Sequence, residues 1–363
     1  MSELVLTRRE LQVLLNCIYS SDTRYLHVEY PFYGLELFTL DMKKPELTKI
    51  VRYKEFDRER GTRRPLDRSV GQEELPNYND FKNCLLSSGF LDYRNEDHIA
   101  KTLADLRDEA RDPNKRPRPV FIAIDTNLLY FRFLSRHMPV RHEATDRTVE
   151  ATDFRYVVSE LVQREIDSTI VHKYDRDEIM ALSALFAHKE LLREFRNGSA
   201  KRARGAKLAF NEMNYLLTDL RALRIKGTPA RDKEMNDIQI AQSYKDWSRG
   251  GDYDVLLITG DEDMINHGRT SELMTLQLEL PFEPPEHARV DPWTTADIIH
   301  DLAVTLGVVS LSNAGVLVFG EWGGKTSADY ASESLKVVSD DEGTMASVSR
   351  NLDVCRKILA RPA

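Results

Sequence analysis

Five carboxylates carry the chemical signal of this chain. Asp125 follows the apolar run Val120-Phe121-Ile122-Ala123-Ile124, and Asp261 and Asp263 follow a second run from Asp254 to Thr259. Glu160 comes directly after Tyr156-Val157-Val158-Ser159, and Asp237 opens Asp237-Ile238-Gln239-Ile240-Ala241. Gathering such groups is electrostatically unfavourable, because like charges at close range raise one another's pKa. A bound cation is the usual compensation, and an all-oxygen donor set suits Mg²⁺ or Mn²⁺ rather than Zn²⁺. Such an ion lowers the pKa of a bound water and stabilises the charge that builds on a phosphoryl centre. The expected chemistry is therefore phosphodiester hydrolysis. Asp125, Glu160, Asp237 and Asp261 are the candidate catalytic and metal-holding groups, with Asp263 as a further metal ligand. Asn127, Asn236 and Thr259 are short polar neighbours suited to orienting those ligands.

Taken singly, each of these acids reads as a helix cap or a solvated group, so the fold must bring them together. Short apolar runs bounded by Pro119 on one side and polar residues on the other are the pattern of central parallel strands. Ligands of open α/β sheets bind outside the carboxyl ends of the strands, where Asp125 and Asp261 stand. Strand and helix patterns alternate over 118–285, which predicts one domain with a mostly parallel sheet. Seventy-seven positions separate Glu160 from Asp237, so a helical insertion is expected over about 171–230. Within it, Lys201, Arg202, Arg204 and Lys207 read as a basic, turn-rich loop. They are candidates for holding a nucleic-acid backbone, and a solvated connection is the competing reading. Arg58, Arg60, Arg63 and Arg64 form a second basic cluster open to the same two readings.

The flanking regions are expected to be separate. Residues 1–117 read as a mainly helical region, with one or two strands or an irregular packed segment over 25–53, closed by the proline-rich stretch Asp112 to Pro119, the best candidate linker. Residues 286–363 read as an α+β extension, with a hairpin at 308–319, a polar segment from Gly323 to Thr344 and a final helix. The 363 residues are 41% hydrophobic and 30% charged, with a formal charge of −8, which fits a soluble globular protein. No apolar run reaches the length of a membrane span, and the first residues lack the apolar core of a signal peptide. Three scattered cysteines give no zinc spacing and fit a reducing, cytoplasmic setting. Gly320 to Thr326 is one residue short of a phosphate-binding loop, and no Gly-x-Ser-x-Gly elbow occurs.

Four pieces in order, Ile-Asp-Thr-Asn at 124–127, Ser-Glu at 159–160, Asn-Asp-x-x-Ile-Ala at 236–241 and Ile-Thr-x-Asp-x-Asp at 258–263, resemble the PIN-domain nucleases. The match covers about 118–280, under half of the chain. The resemblance implies a three-layer α/β/α domain and Mg²⁺- or Mn²⁺-dependent endoribonuclease activity, usually on single-stranded or structured RNA. It places the family's metal-site carboxylates on Asp125, Glu160, Asp237 and Asp261, with Thr259 as the small hydroxyl residue. Water attack would leave 5′-phosphate and 3′-hydroxyl ends. Two other readings stay open: a PIN-like scaffold that binds RNA or a protein with little or no nuclease activity, and a structure-specific DNA nuclease. The flanking regions are candidates for a protein partner or for homo-oligomer contacts, and no membrane association is expected.

Overall fold

The computed structural model describes residues 2–63, 71–112, 114–142, 145–229 and 233–359. Arg64, Pro113 and residue 230, each used in the sequence reading, lie outside them. The chain is mixed α/β, 51% helix and 20% strand, and its contacts group it into two compact units. One unit comprises 91–170 and 208–282, the other 1–90, 171–207 and 283–363. This grouping differs from the sequential division into 1–117, 118–285 and 286–363.

The first of these units holds a five-stranded sheet. Its strands lie in the order Met274–Gln277, Asp254–Thr259, Val120–Ile124, Arg155–Ser159, Leu223–Ile225, and every neighbouring pair is parallel. Ile122, Ala123 and Ile124 are consecutive and all buried, as are Val157 with Val158 and Leu257 with Ile258. Neighbouring residues of a strand point to opposite faces, so both faces of the sheet are covered. The order has a consequence for the site. From the central Val120–Ile124 strand the chain steps outward one way through 155–159 and 223–225, then returns to build 254–259 and 274–277 on the other side. The reversal falls beside Val120–Ile124, and the crevice at such a reversal is where open parallel sheets bind ligands.

The expected insertion over 171–230 is not one helical body. Residues 171–207 belong to the other unit, and the boundary falls inside the helix Lys201–Asn214, between Lys207 and Leu208. The remainder returns to the parallel sheet and supplies its fifth strand, Leu223–Ile225. That strand is three residues long with two of them exposed, so it carries no apolar run by which to recognise it.

The second unit is built on eight strands, all paired antiparallel, in the order Ser2–Leu6, Leu335–Ser339, Val316–Phe319, Val308–Leu311, Tyr25–Tyr30, Leu35–Asp41, Glu46–Thr48, Ala288–Arg289. The expected hairpin pairs Val308 with Phe319 and Leu311 with Val316. Four of the eight strands come from the first 48 residues, where one or two were expected, and the helices Leu11–Ser20, Tyr53–Gly61, Tyr78–Ser87 and Glu96–Ala110 follow or lie between them. Leu335–Ser339 is a strand inside the segment read as polar loop, and it pairs with Ser2–Leu6. These partners are hundreds of positions apart, so neither shows the turn that marks a local hairpin. Lys325, in the segment set aside as a phosphate loop, turns inward and donates from Nζ to the Gly320 carbonyl at 2.6 Å. Among the described residues, no helix is long and apolar enough to cross a membrane.

Candidate functional site

Asp125 leaves the end of the central strand and caps the short helix Thr126–Tyr130. Its amide still donates to the Ile258 carbonyl at 3.4 Å, so the parallel ladder runs up to the carboxylate. The side chain is 5% exposed. Oδ1 accepts from the Thr126 amide at 2.6 Å, and Oδ2 accepts from the Thr259 hydroxyl at 2.7 Å. Thr259 ends the neighbouring strand and is fully buried. Its Oγ1 also accepts from the Asp261 amide at 2.9 Å and from Asn127 Nδ2 at 3.4 Å, while Asn127 Oδ1 accepts from the Gly260 amide at 3.2 Å. The two strand ends on either side of the reversal are thus tied together through side chains.

Burial drives the Asp125 carboxyl up to about 7. The hydrogen bonds from Thr259 and Thr126 oppose that rise, and the charges of Asp237 and Glu165 add to it. Asp125 is therefore a buried acid whose ionised form is held back by desolvation and by two neighbouring carboxylates. Asp237 lies half-buried near the start of the helix Lys233–Gly251. Seven residues later on that helix, two turns on, the fully buried Tyr244 accepts from the Ser159 amide at 3.1 Å and donates to the Ile124 carbonyl at 2.8 Å. Ser243 adds a bond to Ser159 Oγ at 3.0 Å. Residues two turns apart share a helix face, so the contacts that seat Tyr244 on the strand ends also fix the helix face that carries Asp237. Asn236, one residue earlier, is half-buried.

Glu160, the candidate expected from the sequence, stands on the next helix, Glu160–Ile170. Glu160 opens that helix and lies 3.6 Å from Arg164, with its side chain 37% exposed. The carboxylate from this helix that acts on Asp125 is Glu165. Its Oε2 accepts from the Thr126 hydroxyl at 2.8 Å, one residue from Asp125. A signal for Glu165 was present in the sequence. Leu161, Val162 and Ile166 form the buried stripe of the helix, and Glu165 falls at i+4 from Leu161, which puts a charge on the apolar face.

Asp261 caps the helix Glu262–Thr270, its Oδ1 accepting from the Asp263 amide at 2.8 Å. Both Asp261 and Asp263 are exposed. Asp263 sits in the first turn of that helix, where the dipole favours a negative charge. Asp125, Glu165 and Asp237 are thus linked by contact or by charge, Asp261 is tied to Asp125 through Thr259, Asp263 bonds Asp261 through its amide, and Glu160 pairs with Arg164. Among the described residues, no group of three or more His, Cys, Asp or Glu side chains is arranged so that it could hold a metal ion. The donor chemistry itself suits a hard cation: each Asp125 oxygen uses one acceptor position on Thr126 or Thr259 and keeps a second.

The four basic residues lie in the other unit and on a helix rather than a loop. Lys201 Nζ pairs with Asp80 at 2.9 Å. Arg204 is 4% exposed and donates to the Thr305 and Ser199 carbonyls. Lys207 Nζ lies 4.2 Å from the centre of the Tyr330 ring, and burial holds its pKa below the ordinary lysine value. Arg202 alone of the four is exposed. Three of these cations are therefore engaged inside their own unit. Compared with known proteins, the chain matches no family model, no curated protein and no solved structure.

Proposed function

We propose that the parallel-sheet unit is a PIN-type, three-layer α/β/α nuclease that hydrolyses RNA with Mg²⁺ or Mn²⁺. The observation that carries this reading is the Asp125 carboxylate, placed at the sheet reversal and pinned by Thr259, its pKa raised first by burial and further by the charges of Asp237 and Glu165. Such a group costs stability when ionised, and a cation would relieve that cost. Asp125, Glu165, Asp237 and Asp261 would hold the ion, their side chains drawn together on binding. When bound, the ion supplies Lewis-acid activation of water and charge neutralisation at the scissile phosphate. Thr259 and Thr126 orient the Asp125 oxygens. Asn127 braces the turn at Gly260 that presents Asp261. The Tyr244 hydroxyl fixes the helix that carries Asp237.

The test is a time course on labelled single-stranded RNA with Mn²⁺, comparing wild type, Asp125→Asn and wild type with EDTA. Cleavage by metal-loaded wild type alone is expected, leaving 5′-phosphate ends. Equal cleavage by Asp125→Asn would sink this site. Binding of RNA with no cleavage of RNA or DNA by any sample would favour the scaffold reading, and cleavage of DNA alone would favour the DNA nuclease.

A further inference from the structure

Beside the Leu223–Ile225 strand the parallel-sheet unit has a cavity of about 600 Å³, whose lining includes Arg224, Lys226, Gln239, Gln242, Asp246 and Trp247. Ile225 is in register with Ser159. Lys226 and Gly227 therefore leave the sheet at the same carboxyl edge from which Asp125 emerges. The opposite wall is the helix Lys233–Gly251, on the face that carries Gln239 and, one turn further on, Gln242. Residues three apart share a helix face, so the two amides act together.

The floor depends on Gly227. A Cβ there would lie 2.7 Å from Leu161 Cγ and 2.9 Å from Ser159 Oγ, so only glycine lets the backbone rest on the strand end. Ser159 also bonds Ser243 of the facing helix at 3.0 Å. Both walls are thus built on the strand that leads into the Glu165 helix.

We propose that this groove is a nucleotide subsite for single-stranded RNA at the same carboxyl edge of the sheet as Asp125, an inference that rests on the nuclease reading above. The volume lies in the range of ligand pockets, roughly 300–1,000 Å³. Arg224 and Lys226 are exposed and have no ion-pair partner among the described residues, so both are available to phosphate. Gln242 donates from Nε2 to Asp246 Oδ1 at 2.6 Å, which orients its amide and leaves Oε1 as an acceptor. The Gln239 amide offers both a donor and an acceptor to a base edge. Trp247 is held edge-on to Phe121 with ring centres 4.9 Å apart, which gives the groove a rigid aromatic side. Amides that read a base edge need it free of its pairing partner, hence a single strand.

The experiment is fluorescence anisotropy of short labelled single-stranded RNA in EDTA, using the full chain. Wild type, the Arg224→Ala/Lys226→Ala double variant and Gln239→Ala are compared across four homopolymers, with matched thermal melts. The double variant is expected to bind roughly tenfold or more weakly, and to lose about 0.7 per phosphate from the slope of log affinity against log salt. Gln239→Ala is expected to keep that slope and change the ranking of the homopolymers. Unchanged affinity and slope in a folded double variant overturn the groove, and the nuclease reading stands if wild type still cleaves with Mn²⁺. Loss of binding in the double variant without cleavage by wild type supports the groove and overturns the nuclease reading. Wild type that binds no RNA overturns the groove.

Discussion

The Thr259 hydroxyl donates to Asp125 Oδ2 at 2.7 Å across the two strands where the sheet reverses its order. The same oxygen accepts from the Asp261 amide, so one buried hydroxyl sets the positions of two carboxylates that are 136 residues apart in sequence. Thr259→Val should remove both bonds at almost constant volume. It leaves a buried carboxylate oxygen and an amide without partners, at a cost of about 1–3 kcal/mol. Because this bond lowers the Asp125 pKa, its loss should also move the acid limb of the pH–rate profile upward. Thr259→Ser should restore both properties. Urea unfolding and a pH series of cleavage rates check the pair of effects.

Asp125 makes stability depend on pH in a definite direction. Its folded-state pKa is raised from 3.8 to about 7, so the folded chain binds the proton more tightly than the unfolded chain does. The stability gained from that proton is full below about 3.8 and is lost as pH rises through about 7, with a slope of up to ~1.4 kcal/mol per pH unit in between. Asp125→Asn should flatten this part of the curve and be the more stable protein at pH 8. Denaturant midpoints from pH 4 to 8 measure it, and a variant that follows the wild-type slope would falsify the assignment.

Divalent metal should act on the same curve. Mn²⁺ held by Asp125 favours the ionised carboxylate, so saturating metal should raise the melting temperature at pH 7 by mass action, worth about 2.7 kcal/mol at a hundred times the dissociation constant. Asp125→Asn should lose most of that increase. A thermal scan with and without EDTA reads this without any cleavage assay, and an equal metal shift in both proteins would place the ion elsewhere.

Glu165 and Glu160 can be separated directly. Glu165→Gln removes a charge that raises Asp125 and should cut cleavage by roughly tenfold or more, with weaker Mn²⁺ binding by calorimetry. Glu160→Gln removes a partly exposed group beside Arg164 and should change either quantity by less than about twofold. The reverse ranking would return Glu160 to the site.

Tyr244→Phe tests the frame. Its hydroxyl joins the Ile124 carbonyl to the Ser159 amide, and both backbone groups are left unsatisfied without it, at about 1–3 kcal/mol. Hydrogen exchange at Ser159 should quicken, and no change in its protection would mean that water replaces the hydroxyl.

The parts of the fold that could be read from sequence are those whose physics is local. Val120–Ile124 and Asp254–Thr259 announce themselves because both faces are buried, which forces an unbroken apolar run. Asp125 and Asp261 follow from the end of such a run. The choice between Glu160 and Glu165 turns on helix phase, which places Glu165 on the buried stripe beside Leu161 and Ile166. Leu223–Ile225 was illegible because it is an edge strand of three residues and needs no run of its own. The basic residues around Arg204 read as a loop between Gly198 and Gly205, yet Gly205 lies inside the helix Lys201–Asn214, and their partners are Asp80, Thr305 and Tyr330. No spacing rule reaches contacts so remote in sequence.

The pairing of Ser2–Leu6 with Leu335–Ser339 also sets a timetable for biosynthesis. At ribosomal rates of about 5–20 residues per second, Ser2–Leu6 waits on the order of tens of seconds for its neighbour. By then residues 91–282 have all been made, so the parallel-sheet unit can mature while the antiparallel sheet still lacks half of its strands. Until then Tyr25–Tyr30 has an unpaired side where Val308–Leu311 will join it, an open edge of the kind that chaperones cover and that aggregation exploits.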